Sequence, residues 1–261
     1  MISFLQKIEI LNTPFYYSGL LFFGLFIILL AVSIFDKRQI AGENRWIKPM
    51  KFALSLGIYV FTWAIYSQYL PDKKQFEIFT WVTNAVMWFE MIAIVLQAAR
   101  SELSHFNVSS TFNYWIFRLM GIAISLQTLW AIYIGLKFFR IEAIDLSASY
   151  LWAIRIAVIA AGIFAFEGAV MGAKLQHTVG ASDGGPGLPI LNWSAVAGDL
   201  RVAHFFGIHA LQIIPLFAFY VTPENKFMAP AFGILYCLFS IFLFLHAMSG
   251  KSINFLKALG Q

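Results

Sequence analysis

Seven apolar segments of about 20 residues each dominate this chain of 261 residues. They cover residues 15–35, 50–70, 76–99, 113–136, 150–173, 200–221 and 228–248. A helix rises about 1.5 Å per residue, so each segment is long enough to cross a hydrocarbon core about 30 Å thick. Backbone amides in lipid must be bonded within their own segment, which favours helices. The sequence therefore predicts an all-α integral membrane protein, a single polytopic domain built as a bundle of seven transmembrane helices.

Composition excludes several other classes of protein. Hydrophobic residues make up 60% of the chain and charged residues only 12%, whereas a soluble domain carries about 25% charged residues. The single cysteine, Cys237, rules out a disulfide or a thiolate metal cluster within one chain. No basic run is dense enough to indicate nucleic-acid binding, although the net charge is +5. The expected partner is the lipid bilayer.

The distribution of Lys and Arg predicts the orientation of the chain. The N-terminus and the predicted loops on its side hold seven of the 18 Lys and Arg residues, and the opposite side holds eleven. Because cytoplasmic loops carry the excess of basic residues, the N-terminus is predicted to lie outside and the C-terminus in the cytoplasm. Phe-rich spans and short loops are typical of a prokaryotic inner (plasma) membrane, which is the predicted location.

Two carboxyl groups fall inside predicted spans, and each is a candidate catalytic group. Glu90 lies near the middle of the third span, and Glu167 lies two turns inside the fifth. An ionised side chain at the bilayer centre costs about 2.5–3.5 kcal/mol. We therefore expect both carboxyls to face a protein interior or a wet cavity, to pair with Arg or His, or to be protonated. A purely structural role as hydrogen-bonding groups between helices is the alternative.

The sixth span begins with GDLRVAHFFGIHALQIIP, which is apolar but rich in groups that prefer water. Asp199 directly precedes the span and is predicted to cap it. His204 and His209 are five residues apart, so they do not form the i,i+4 pair of a helical zinc motif. His209 and Gln212 are three apart and share a face. His209 is a candidate catalytic group together with the two intramembrane carboxyls.

The remaining polar residues supply candidates for substrate and cofactor binding. The substrate-binding candidates are Gln97, Arg100, Arg201, Gln212, Arg45, Lys48 and Lys51. The candidate metal or cofactor ligands are His204, His209, His246, His177 and His105. The three basic residues at the head of the second span fit an anionic headgroup or phosphate, or simple positive-inside anchoring. A shared pocket, open to the cytoplasm and lined by the third, fifth, sixth and seventh spans, would accommodate these groups.

The connection over residues 177–193 is the longest and contains Gly-Gly-Pro-Gly. Glycines permit positive φ and close backbone approach, so the segment fits either a lid that contacts a ligand or an ordinary irregular turn. It matches neither a Walker A loop nor a dinucleotide-binding fingerprint.

These features leave three classes of function open. The first is a membrane-embedded enzyme or redox protein with a Glu/His/Arg pocket, which would bind non-covalent haem b or a mononuclear metal. The second is a proton-coupled small-molecule transporter or channel. The third is a sensor or assembly factor with a structural polar interior. A small molecule or a lipid is the expected ligand, and retinal is not expected because the last span contains no lysine.

Overall fold

The computed structural model describes residues 3–142 and 146–253. Nine α-helices occur in these ranges: α1 Phe4–Leu11, α2 Thr13–Phe35, α3 Ile47–Ser67, α4 Lys73–Ala99, α5 Thr111–Leu136, α6 Ala148–Ala165, α7 Glu167–Lys174, α8 Leu200–Tyr220 and α9 Met228–Met248. A 3₁₀ turn, Lys137–Arg140, continues α5. Within the described ranges, seven helical segments are long and apolar enough to cross a membrane. The seven predicted spans are thus confirmed as helices, and their ends differ from the predicted ones by at most three residues.

Side-chain caps explain where several helices begin. The Asn12 side chain accepts a hydrogen bond from the backbone of α2, and Asp72 and Ser147 do the same for α4 and α6. Such caps satisfy backbone N–H groups that have no partner in the first turn of a helix. Asp199 accepts from the N–H of Arg201 at the start of α8, which confirms its predicted capping role.

Two short pairs of antiparallel strands lie in the connections that contain many of the polar residues. Strand β1, Gln39–Ile40, pairs with β2, Glu43–Asn44, between α2 and α3. Strand β3, Thr178–Val179, pairs with β4, Gly198–Asp199, so the two ends of the glycine-rich connection lie side by side.

The chain divides into two compact units, 1–130 and 131–261. In the first unit, α2 packs closely on α3 because each helix offers a glycine to an aromatic ring of the other. Gly19 lies against Phe61, and Gly57 lies against Phe23. Rings from three helices fill the core next to this contact, with Trp63 of α3 against Phe79 of α4 at 4.8 Å between centroids and Phe79 against Phe15 of α2.

In the second unit, alanines allow α6, α8 and α9 to pack together. Ala153, Ala157 and Ala160 of α6 belong to one buried cluster with residues of α8 and α9. Gly207 of α8 lies against the Phe164 side chain. Small residues at helix contacts are typical of membrane bundles, in which backbones approach closely.

The predicted fifth span is not one uninterrupted helix. It consists of α6 and α7, which are separated at Phe166. The Phe166 N–H bonds to the carbonyl of Ile163, and the Ala169 N–H bonds to the carbonyl of Phe166. Both bonds span three residues instead of four, so the chain is tightened locally, and no proline is present to predict this break.

Candidate functional site

The predicted site residues fall into both units. The first unit contains Arg45, Lys48, Lys51, Glu90, Gln97, Arg100 and His105; the second contains Glu167, His177, Arg201, His204, His209, Gln212 and His246. The shared pocket inferred from the sequence would draw on both sets, and it stays a prediction.

Arg45 is a buried connector in the first unit, with 6% of its surface exposed. Its Nε donates to Asp36 Oδ2 at 2.8 Å, and its Nη1 donates to the carbonyl of Ala99 at 3.0 Å and to Ser101 Oγ at 2.9 Å. The guanidinium therefore joins the end of α2 to the end of α4.

The other two basic residues at the head of α3 also contact protein groups. Lys51 Nζ lies 3.0 Å from Glu43 Oε1, and Lys48 Nζ lies 3.3 Å from His105 Nδ1. Each of these two lysines therefore has a side-chain partner within the first unit, and both the binding of an anionic headgroup or phosphate and positive-inside anchoring stay predictions.

Gln97 and Arg100 join the end of α4 to the start of α5. Gln97 Nε2 donates to Asn113 Oδ1 at 3.0 Å, and Arg100 Nη1 donates to Gln97 Oε1 at 2.9 Å. Gln97 is fully buried. Both the Nε2 and the Oε1 of Gln97 have hydrogen-bond partners, so Gln97 and Arg100 link the end of α4 to Asn113 of α5.

Glu90 is buried in the middle of α4, and 5% of its surface is exposed. Its Oε1 has no hydrogen-bond partner among the described residues. Lys48 is the charged side chain whose field acts on this carboxyl. A buried oxygen without a donor is costly, and in native structures it marks local strain, a bound water or ion, or a functional group.

Glu167 begins α7, directly after the break at Phe166, and 8% of its surface is exposed. Its Oε2 likewise has no partner within the described ranges. His204 Nδ1 lies 3.1 Å from the carbonyl oxygen of Phe164, on the other side of the break. The break therefore has the Glu167 carboxyl on its α7 side and a contact from His204 of α8 on its α6 side.

The glycine-rich connection is held by two carboxylates. His177 Nδ1 lies 3.3 Å from Asp183 Oδ1 and 3.7 Å from Asp199 Oδ1. Arg201 also bonds Asp199, with Nε 3.0 Å from Oδ1. The Thr178 N–H donates to Asp183 at 2.9 Å. Hydrogen bonds within the connection and the Arg201–Asp199 ion pair at its end therefore hold it in place, and its role as a lid remains a prediction.

The other histidines have separate local partners. His209 Nδ1 lies 3.2 Å from Gln212 Oε1, in agreement with their predicted common face. His246 Nε2 lies 2.9 Å from the carbonyl oxygen of Ser252. In the part of the chain that the structure describes, no three His, Cys, Asp or Glu side chains are grouped to hold a metal ion. The geometry gives no support to the predicted metal or haem ligands.

Sequence reasoning missed the partners of the α4 residues. Thr83, Glu90 and Gln97 are seven residues apart and share one face, and on α5 the partners Asn113 and Gln127 are fourteen apart. Gln127 Nε2 donates to Thr83 Oγ1 at 3.1 Å. This seven-residue spacing of polar residues in two neighbouring spans was the signal available in the sequence.

Comparison with known proteins gives no family for this chain. No family model, no curated protein and no solved structure matches it. A function can therefore be inferred only from the sequence and the geometry of this chain.

Asp199 makes the stability of the second unit depend on pH. Burial raises the pKa of its carboxyl, but the hydrogen bond and charge of Arg201 outweigh burial and bring the pKa below its ordinary value. A carboxylate with a lowered pKa stabilises the fold at neutral pH, and this stabilisation is lost as the pH falls through the folded-state value. We expect Asp199→Asn to cost about 2 kcal/mol at pH 7. The difference between the melting temperatures of variant and wild type should shrink in acid; a difference independent of pH would contradict this account.

Proposed function

We propose that the chain is an integral membrane protein of a prokaryotic inner membrane, with its N-terminus outside and its C-terminus in the cytoplasm. Seven helices with the required length and hydropathy support this. Large apolar side chains that are more than half exposed on α2 and α9, among them Ile27, Ile28, Ile234 and Leu235, also support it. Exposed apolar side chains of this size favour aggregation in water but are stable in contact with lipid. The excess of Lys and Arg on one side supports the orientation.

We further propose that the protein couples the movement of protons to the transport of a small solute. The observation that carries this proposal is the Glu90 carboxyl, which is buried in mid-helix with Oε1 lacking a fixed partner. Intramembrane carboxyls are costly and are typical of proton relays in pumps and transporters. A carboxyl without a fixed donor gains and loses a proton with little rearrangement of its surroundings.

Glu167 supports the same function from the second unit. It lies at the junction between α6 and α7, and its Oε2 has no partner among the residues that the structure describes. Interrupted helices form the binding sites of many transporters, because they free backbone groups at membrane depth. In this protein His204 contacts the carbonyl oxygen of Phe164, two residues before the break.

The alternatives from the sequence lack a comparable observation. A metal centre would need several side chains that converge on one ion, whereas no three His, Cys, Asp or Glu side chains of the described residues do so. A sensor or assembly factor would leave the buried carboxyls without a role. Proton-coupled transport is therefore the function that the geometry favours.

The proposal is tested in liposomes that contain the purified protein and a pH-sensitive dye. A pool of amino acids, carboxylic acids, sugars and inorganic phosphate is added outside, and the interior pH is recorded. We expect a wild-type response that Glu90→Gln abolishes, because glutamine keeps the shape of the side chain but carries no exchangeable acid proton.

The matched control is Glu77→Gln, which makes the same change at an exposed position of α4. This variant should respond like the wild type. A response in Glu90→Gln equal to that of Glu77→Gln would refute proton coupling through Glu90.

A further inference from the structure

Two polar pairs fix the register between α4 and α5 within the first unit. Thr83 Oγ1 accepts from Gln127 Nε2 at 3.1 Å, and Asn113 Oδ1 accepts from Gln97 Nε2 at 3.0 Å. The two pairs are fourteen residues apart on each helix, and the order is reversed, so the helices are antiparallel in a repeat of seven. Seven residues make about two helical turns, so one face recurs at this interval.

With the same register, one further level, meaning one pair of opposing positions on α4 and α5, lies between the two polar pairs. On α4 this level is Glu90, and on α5 it is Met120, each midway between its polar neighbours. Both residues are buried, with 5% of Glu90 and 2% of Met120 exposed. A thioether accepts hydrogen bonds weakly and donates none, so Met120 offers nothing to a carboxylate. By this register, the α5 position opposite the carboxyl is an apolar one.

Neither the neighbours of Glu90 on α4 nor the α3 residue that acts on it supplies a fixed hydrogen-bond donor to Oε1. On α4 itself the buried neighbours Met87, Met91 and Ile94 are apolar. From α3, Lys48 acts on the carboxyl through its charge, and its Nζ also lies near His105.

We propose that Met120 is a positioning residue for proton exchange at Glu90: its apolar side chain keeps a fixed hydrogen-bond donor away from the carboxyl. This inference rests on the proposed proton-coupled function and adds a residue to it. Glutamine has nearly the length of methionine, and an amide already occupies the equivalent level at positions 113 and 127. An amide at position 120 would therefore place a polar residue at all three levels of α5 and form a fixed hydrogen bond to the Glu90 carboxyl.

The test introduces that missing donor. We expect Met120→Gln to raise the melting temperature by about 2–4 °C, because it adds a buried hydrogen bond. The infrared carbonyl band of protonated Glu90, identified by its absence in Glu90→Gln, should move to lower frequency. Solute-driven proton movement should fall at least about tenfold, since the bond to the carboxylate must break in each cycle.

Further variants keep the result interpretable. Met120→Thr offers a smaller donor in case the glutamine is not accommodated, and it should move the band in the same direction. Met120→Leu keeps the level apolar and should preserve the wild-type band. Leu119→Gln adds the same amide to the exposed face of α5 and should leave both the band and proton movement unchanged.

The inference is overturned if the Glu90 band stays at its wild-type frequency in both Met120→Gln and Met120→Thr. It is also overturned if proton movement in these variants equals that of the wild type. Either result leaves proton coupling intact as long as Glu90→Gln is inactive. Failure of the proposed function is a separate outcome, in which Glu90→Gln itself moves protons like the wild type.

Discussion

Alanine at position 198 should prevent the second unit from reaching its folded state. A Cβ built on Gly198 would overlap the carbonyl oxygen of Ala247 and approach the carbonyl carbon of that residue to 2.8 Å. These are backbone atoms in the last turn of α9, and they cannot rotate away as a side chain would. Gly198 also belongs to β4, where it pairs with Val179, and it directly precedes the capping residue Asp199.

Relief of this overlap would require β4 to separate from β3 or α9 to shift. Overpacking in a closely packed interior costs about 1–3 kcal/mol when side chains can adjust, and more when they cannot. We therefore expect a loss above about 4 kcal/mol, which is exceptional for a single substitution. The measurement is the yield of monodisperse protein extracted from membranes, together with its melting temperature.

Matched controls come from two helical glycines. A Cβ at Gly24 or Gly121 would meet nothing within 4 Å. Alanine at either position should be neutral or stabilise by up to about 1 kcal/mol, because alanine favours the helix over glycine. If Gly198→Ala were recovered as well as Gly121→Ala, the close contact between β4 and α9 would be wrong.

The second large effect is expected at Arg45. Replacement by methionine keeps much of the length but removes the bonds to Asp36, Ala99 and Ser101. It leaves a carbonyl at the end of α4 and part of the Asp36 carboxylate without their donors. A hydrogen bond to a charged group contributes about 1.5–3 kcal/mol, and Asp36 keeps its bonds to Arg38 and Trp46, so we expect a loss of about 2–3 kcal/mol in the free energy of unfolding.

Arg38 provides the matched control, since it pairs with the same Asp36 carboxylate at 3.0 Å but its side chain is 67% exposed. Arg38→Met should lower the melting temperature much less than Arg45→Met, because a surface ion pair contributes little to stability. Arg45→Lys should not restore stability, because a single ammonium cannot reach three acceptors arranged around a planar guanidinium. Equal melting temperatures for Arg45→Met and Arg38→Met would contradict the role of Arg45 as a connector.

The helices of this protein could be predicted from hydropathy, because each span must be apolar over nearly its whole length. The burial of Glu90 and Glu167 also followed from the cost of a charge in lipid, and the structure confirms it. The interruption at Phe166 could not be predicted. The break is formed by backbone hydrogen bonds that span three residues instead of four, and His204 of another helix contacts the chain beside it. Neither feature can be recognised in the local sequence.

The partners of the site residues were less accessible to sequence reasoning. That Arg45 contacts the end of α4 depends on how α2, α3 and α4 pack, whereas the sequence indicated only a headgroup, a phosphate or positive-inside anchoring for this residue. The pairing of Gln127 with Thr83 depends on the rotation of α5 about its axis. Seven-residue spacing marks the correct faces, but the contact between them is a tertiary property.

The contact between His204 and the carbonyl oxygen of Phe164 also fixes the tautomer of the imidazole. A carbonyl oxygen only accepts, so the ring must carry a proton on Nδ1. A neutral His204 therefore keeps its lone pair on Nε2. Any water or solute that bonds to this nitrogen has to bring the hydrogen itself, which makes this side of the ring selective for donors.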